Sequence, residues 1–422
     1  MKARIILVLL TCLLTVSNSA GQSIKPQEID KLVSPFVDRN YFSGIVLVES
    51  GGKVVYEKAF GMANVELGVP LRTESRVGIA SITKPMTDII LARLVEEKKI
   101  APTDTVSKFI PDFPNGDKIT VSMLASHRAG IPHRVMPPEQ EAVPHSSSDM
   151  AEWIAKAKLD FEPGSKRSYS SAGYALLARL LELASGKSYS QLLEEFVFAP
   201  AGMKDSVDFQ GEPIMKNRAQ DYLLRPQGPV NAALKDYSFL IGGGSVFGTA
   251  GDLYKFSRAV LDGRYGESVK KELVSDGEFS ASGRTNGHRA YVEFYDGKGS
   301  GFVVLSNISS GAFDRIASGL SDLLKGKTPS AAFVFPTLAE PGKRDLSEYA
   351  GDYPREDGGT FNIIAKDDAL YSGDIAVYPT TKKDCFFDFS FFGDVCFGRG
   401  PDGKVNSIVW KGEGFELKGK KQ

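Results

Sequence analysis

A serine and a lysine three residues apart, in Gly78-Ile79-Ala80-Ser81-Ile82-Thr83-Lys84, have the types and spacing to do chemistry together. Three residues is nearly one helical turn, so on a helix the two side chains share a face and can touch. A serine hydroxyl is a poor nucleophile until a neighbouring base takes its proton, and a desolvated lysine amine can be that base. The chemistry on offer is covalent acyl transfer through Ser81. The spacing recurs in Ser268-Val269-Lys270-Lys271, on what reads as a solvated, charged helix end, so spacing alone does not choose between them.

A third group strengthens the first pair. In Pro163-Gly164-Ser165-Lys166-Arg167-Ser168-Tyr169-Ser170-Ser171-Ala172-Gly173-Tyr174 the Pro-Gly turn and the later glycine place Tyr169 on a loop entering a helix. A tyrosine held near a lysine ammonium gives up its proton more readily, because the opposite charge favours phenolate. It can then act as base for a serine and as acid for a leaving group. Taken alone, a tyrosine beside a helix start is more often packing.

Ser81-Ile82-Thr83-Lys84 followed by Tyr169-Ser170-Ser171 resembles the β-lactamase/penicillin-binding-protein serine hydrolases. The nearest branch is the class C β-lactamase-like group of D-alanyl-D-alanine carboxypeptidases, D-aminopeptidases and esterases. Leu124–Pro132 and Gly242–Leu253 are further family-like stretches, and the resemblance runs from about residue 29 to 324. It implies an acyl-enzyme on Ser81, with Lys84 and Tyr169 managing the proton and water releasing the acyl group. Ser81 at a helix start would also aim backbone N–H groups at a developing oxyanion.

The chain departs from the family pattern at two places. Ser171 stands where the family has asparagine, and its shorter side chain is expected to reach Lys84 or substrate through water. The third family box, on the strand bordering the site, falls at Ala281-Ser282-Gly283, so Ala281 replaces a histidine or lysine. His288 is a candidate substitute for that group. The backbone N–H of Arg284 would complete the oxyanion hole, and its side chain is a candidate for meeting a substrate carboxylate. Ser171, Ser282, Gly283 and Arg284 are therefore the expected substrate-binding or proton-network residues.

The elements that must position these groups can be read coarsely. Residues 29–36 suit a short amphipathic helix, and 44–48 and 54–56 suit strands joined at Gly51-Gly52. Helical apolar spacing covers 81–99, 174–184 and 250–261, and two late strands cover 290–295 and 301–306. Hairpins at both ends with helices between argue for α+β with an antiparallel sheet and a helical subdomain. Residues 21–325 form the expected hydrolase domain and 326–346 a proline-containing linker. Residues 347–422, with short β-rich runs at 359–364, 386–391, 407–410 and 415–418, form a small all-β domain resembling the lipocalin-like one appended to such hydrolases.

Composition narrows the function. Net charge is −1 with 24% charged residues, which recommends neither nucleic acid nor a polybasic membrane surface as partner. Lys2, Arg4, the apolar run 5–16 and small residues to Ala20 read as a cleaved signal peptide over 1–20, hence a secreted or periplasmic protein. No later run reaches membrane-spanning length. Four histidines without a His-Glu-x-x-His pattern, and no Cys-x-x-Cys, give no basis for a metal, and no cofactor is expected.

Cys385 and Cys396 fit a disulfide in an exported protein, but a hairpin turning at Gly393-Asp394 would set Phe391 opposite Cys396, leaving the pairing open. The expected function is hydrolysis of an amide or ester in a small-molecule or peptide substrate. The alternative is a catalytically weak relative that binds peptidoglycan or D-amino-acid peptides. Ser81, Lys84 and Tyr169 favour the first, Ser171 and Ala281 the second.

Overall fold

In the computed structural model, residues 24–421 are described apart from 212, 298, 330–332, 341, 343 and 374; the expected signal peptide lies outside them. Ile45, Val46, Leu47 and Val48 are all buried, which suits a central strand covered on both faces. Their strand, Gly44–Ser50, pairs on one side with Lys53–Phe60 and on the other with Ser300–Ser306. Gly51 (φ 62°) and Gly52 (φ 74°) supply the two left-handed residues that a tight hairpin needs. Arg289–Tyr295 and Glu278–Arg284 extend the sheet to five antiparallel strands. Glu278–Arg284 is therefore an edge strand, and it runs beside the Ala80–Ile82 turn that carries Ser81.

Helices cover the sheet and build a second layer. Thr83–Glu96 buries Met86, Ile89, Ile90 and Leu94 at helical spacing. Ser171–Ser185 packs against it, opened by the Ser170 hydroxyl accepting the Gly173 N–H at 2.9 Å and closed by Gly186 at φ 71°. Ala250–Leu261, capped by Thr249, lies against the sheet. Pro26–Val37 and Ala312–Leu324 pack on the other face.

Eight strands from Gly351–Pro354 to Phe415–Lys420 follow one another in order as an antiparallel sheet. A bridge between Arg355 and Gly419 brings the first and last together, so the sheet is nearly closed. Its core is filled by Tyr353, Phe361, Phe386, Phe397 and Trp410. Cys385 and Cys396 are register partners joined by a disulfide. The hairpin turns at Phe389–Phe392, with Phe392 at φ 52°, and not at Gly393-Asp394. The expected strand over 386–391 accordingly stops at Asp388.

The β domain does not hang from a free tether. Phe387, Phe389 and Phe392 enter one hydrophobic cluster with Phe36, Ile308, Phe313 and Ile316 of the preceding part of the chain. The Gly311 N–H donates to Phe389 O at 3.0 Å, and a Cβ on Gly311 would sit 2.4 Å from Phe392 N. The expected linker is pinned too: Phe333 stacks on Phe392, and Ala339 N–H donates to Pro379 O at 2.9 Å. Among the described residues, no helix is long and apolar enough to cross a membrane.

Candidate active site

The nucleophile candidate sits at a strand-to-helix turn. Val77–Gly78 pairs with Val246–Gly248, and the chain then turns through Ala80, which adopts φ 49°, into a 3-10 turn ahead of the Thr83–Glu96 helix. A non-glycine residue at positive φ stores backbone strain, and such strain concentrates where a side chain must be aimed. Here it sends Ser81 into a cavity of about 1390 Å³.

Lys84 follows one turn later and is 5% exposed. Its Nζ donates to Gly243 O at 2.7 Å, Ser81 Oγ at 3.2 Å and Ser171 Oγ at 3.3 Å. Desolvation, the largest influence, holds its pKa below the ordinary lysine value, against the opposing pull of Tyr169. Tyr169 OH is 2.7 Å from Ser81 Oγ, with its ring 4.9 Å from Lys84 Nζ and 4.6 Å from the His127 ring. The three sequence-predicted catalytic residues thus meet at one oxygen. Ser171 reaches Lys84 directly, correcting the expectation of a bridging water.

Three consecutive glycines bring the backbone to Lys84. Gly242 is at φ 74°, and a Cβ there would lie 2.4 Å from Tyr174 O; a Cβ on Gly243 would lie 3.4 Å from Lys84 Nζ. Their carbonyls serve the same helix, since Thr87 Oγ1 donates to Gly242 O at 2.6 Å. The role of the Gly243 carbonyl was not legible in the sequence, although the glycine run itself was.

The edge strand closes the other side. A Cβ on Gly283 would lie 2.1 Å from Ile79 O and 2.9 Å from Ser81 N, so only a bare backbone passes this close. Ser282, Gly283 and Arg284 line the cavity, whereas Ala281 packs against the main core and offers no polar group. His288 does not substitute for it. It is fully buried, its ring 5.8 Å from Tyr237 and 5.3 Å from Phe247, and both ring nitrogens lack hydrogen-bond partners among the described residues. Burial depresses its pKa to about 4, which keeps it neutral in that apolar setting. Ser268 lies on the Glu267–Leu273 helix beside Lys270, which pairs with Asp296 at 2.9 Å, and it is not in the cavity lining.

The β domain supplies a wall that sequence reasoning missed. Ser372, Ile375, Ser390, Phe391, Glu413 and Phe415 line the same cavity as Ser81. The Arg284 guanidinium lies 4.2 Å from the centre of the Phe391 ring. Arg289 donates to Ser390 O, and Arg315 pairs with Glu413 at 2.7 Å. No local pattern places residues a hundred positions apart on one cavity. Among the described residues, no cluster of histidine, cysteine, aspartate and glutamate is arranged to hold a metal.

Asp88, one turn beyond Lys84, has its carboxyl pushed up to about 7 by desolvation, while hydrogen bonds from Tyr174 OH pull the other way. A carboxyl that ionises later in the folded chain than the ordinary range near 4 binds more protons when folded. Its contribution to stability is therefore present at low pH and lost as pH rises through about 7. Asp88→Asn is expected to shrink the fall in Tm between pH 5 and pH 8. A fall equal to the parent's would contradict the assignment.

The Beta-lactamase family model matches residues 29–276, more than half the chain. The D-alanyl-D-alanine-carboxypeptidase/endopeptidase AmpH of Escherichia coli (strain K12) is 30% identical over 267 residues, covering 60% of this chain and 68% of AmpH. The putative penicillin-binding protein PbpX of Bacillus subtilis (strain 168) is 26% identical over 268 residues, covering 63% of this chain and 67% of PbpX. Across the curated relatives the matches span from 42% to 68% of their length. Among solved structures, FmtA from Staphylococcus aureus aligns with a TM-score of 0.63 at 18% identity, covering 74% of this chain and 95% of FmtA. With a helix-borne Ser-x-x-Lys pair, a tyrosine on its serine and a glycine edge strand across it, this chain belongs to the Beta-lactamase family of serine hydrolases.

Proposed function

We propose that the protein is an exported serine hydrolase that cleaves an amide or ester through an acyl-enzyme on Ser81. The observation that carries this reading is the convergence of Lys84 Nζ (3.2 Å) and Tyr169 OH (2.7 Å) on Ser81 Oγ. As Ser81 Oγ bonds to the substrate carbonyl carbon, its proton passes to the Lys84–Tyr169 pair. Lys84 as a neutral amine keeps donating to Gly243 O and Ser171 Oγ while its lone pair faces Ser81. Tyr169 OH then protonates the leaving nitrogen or oxygen as the carbonyl–leaving-group bond breaks. The N–H groups of Ser81 and Arg284 hold the oxyanion, and water releases the acyl group.

Support for export comes from the reading of residues 1–20 and from the Cys385–Cys396 disulfide, a bond kept in oxidising compartments. The substrate preference is for neutral esters or amides over substrates ending in a free carboxylate. Ala281 brings no polar group to the cavity, and Arg284 stacks on Phe391. The test is kcat/KM for a matched pair, a peptide-like ester with a free carboxylate and its methyl ester, on parent and Ser81→Ala. Turnover that favours the methyl ester and disappears in Ser81→Ala is expected. Turnover retained in Ser81→Ala would overturn the reading; a stable penicillin adduct without turnover would favour the binding protein.

A further inference from the structure

Tyr169 is 44% exposed, yet its hydroxyl must be held within hydrogen-bond reach of Ser81. An exposed side chain on a loop has little packing to fix it, so the loop's own hydrogen bonds must do so. Those bonds run almost entirely to one segment, His127–His133. Gly164 N–H donates to Arg128 O at 2.8 Å, and Ser168 N–H donates to His127 O at 2.9 Å. Ser170 N–H donates to His127 Nδ1 at 3.2 Å, and Ser171 N–H donates to His133 Nδ1 at 3.2 Å. The ring centroids of His127 and His133 lie 4.6 and 5.5 Å from that of Tyr169. Tyr169 is thus bracketed: the Ser168 amide before it is bound to the His127 carbonyl, and the Ser170 and Ser171 amides after it are bound to two imidazoles.

We infer that His127 and His133 are positioning residues, a pair of neutral imidazoles whose Nδ1 atoms, by accepting the Ser170 and Ser171 amides, fix Tyr169 on Ser81. A backbone amide can only donate, so each Nδ1 must carry a lone pair and any ring proton must sit on Nε2. The surroundings favour the uncharged form. Partial desolvation of His127, helped by the facing Lys84, Arg167 and His133, brings its pKa down to about 4. His133 faces Arg134, Lys84 and Glu141, and desolvation with the two cations outweighs the carboxylate. An imidazolium at either position would present N–H to N–H and break the bracket. His127 itself adopts φ 60°, a conformation that asparagine also tolerates.

The inference rests on Tyr169 acting on Ser81, and the experiment separates the two. Long-range ¹H–¹⁵N spectra of the histidine-labelled full chain at pH 7 should show both Nδ1 atoms as unprotonated, pyridine-type nitrogens. Ester turnover is then measured for His133→Leu, His133→Asn and His127→Asn. His133→Leu is expected to lower kcat about 10-fold with KM within about 2-fold, the pattern of a lost transition-state alignment. Asparagine, whose Oδ1 can accept the same amide, should restore most of kcat at either position. A protonated Nδ1, or His133→Leu turning over like the parent, would overturn the clamp. By contrast, Tyr169→Phe turning over like the parent would overturn the role of Tyr169 while the spectra still report the bracket.

Discussion

Replacing Lys84 with alanine is expected to slow acylation of Ser81 by about 100-fold or more, the scale of losing a positioned proton carrier. The amine is nearly inaccessible to solvent and sits 3.2 Å from Ser81 Oγ, so water does not take its place readily. Desolvation lowers its pKa, which enlarges the neutral, proton-accepting fraction near pH 7. The sign follows: in the parent, acylation rises with pH through that lowered pKa, and the rise is absent in Lys84→Ala. Tyr169→Phe should show a loss of similar size, because the 2.7 Å contact to Ser81 Oγ disappears with the hydroxyl. Stopped-flow acylation by a p-nitrophenyl ester measures both variants. A Lys84→Ala enzyme within a few-fold of the parent would assign the proton to another group.

Gly283→Ala should be nearly as damaging despite adding a single methyl group. That Cβ would lie 2.1 Å from Ile79 O and 2.9 Å from Ser81 N, both backbone atoms without a side-chain rotation to escape by. The edge strand must move away from Ser81, carrying the Arg284 amide with it. A misplacement of about 1 Å at a reacting centre costs on the order of 100-fold. Overpacking also destabilises by roughly 1–3 kcal/mol, so Tm is followed beside the acylation rate. The predicted pattern is a modest fall in Tm with a collapse in acylation. Parent-like acylation would mean that the strand does not form part of the site.

Much of this arrangement was legible in the chain because it is local. Ser81 and Lys84 are one turn apart, and Gly51-Gly52 announces the hairpin that starts the sheet. The Tyr169 loop declares itself by Pro163-Gly164 before it and by a capped helix after it. What was not legible depends on contacts between distant segments. The His127 and His133 imidazoles meet the Ser170 and Ser171 amides about forty residues away, and no spacing encodes that. The hairpin turn was misplaced by a few residues because Phe392, a non-glycine, takes the left-handed conformation just ahead of the Gly393-Asp394 pair at which the turn was expected. His288 read as a polar candidate, and only its burial between Tyr237 and Phe247 removes it.

The central claim, that Ser81 is the atom acylated, is tested most directly by locating the covalent bond. The parent and Ser81→Ala proteins are incubated separately with a fluorophosphonate and with a penicillin, digested, and mapped by peptide mass spectrometry. The expected result is a fluorophosphonate adduct confined to the peptide carrying Ser81, absent from Ser81→Ala, with the penicillin adduct, where formed, on the same residue. An adduct on Ser268 or any other residue, or labelling undiminished in Ser81→Ala, would contradict the account.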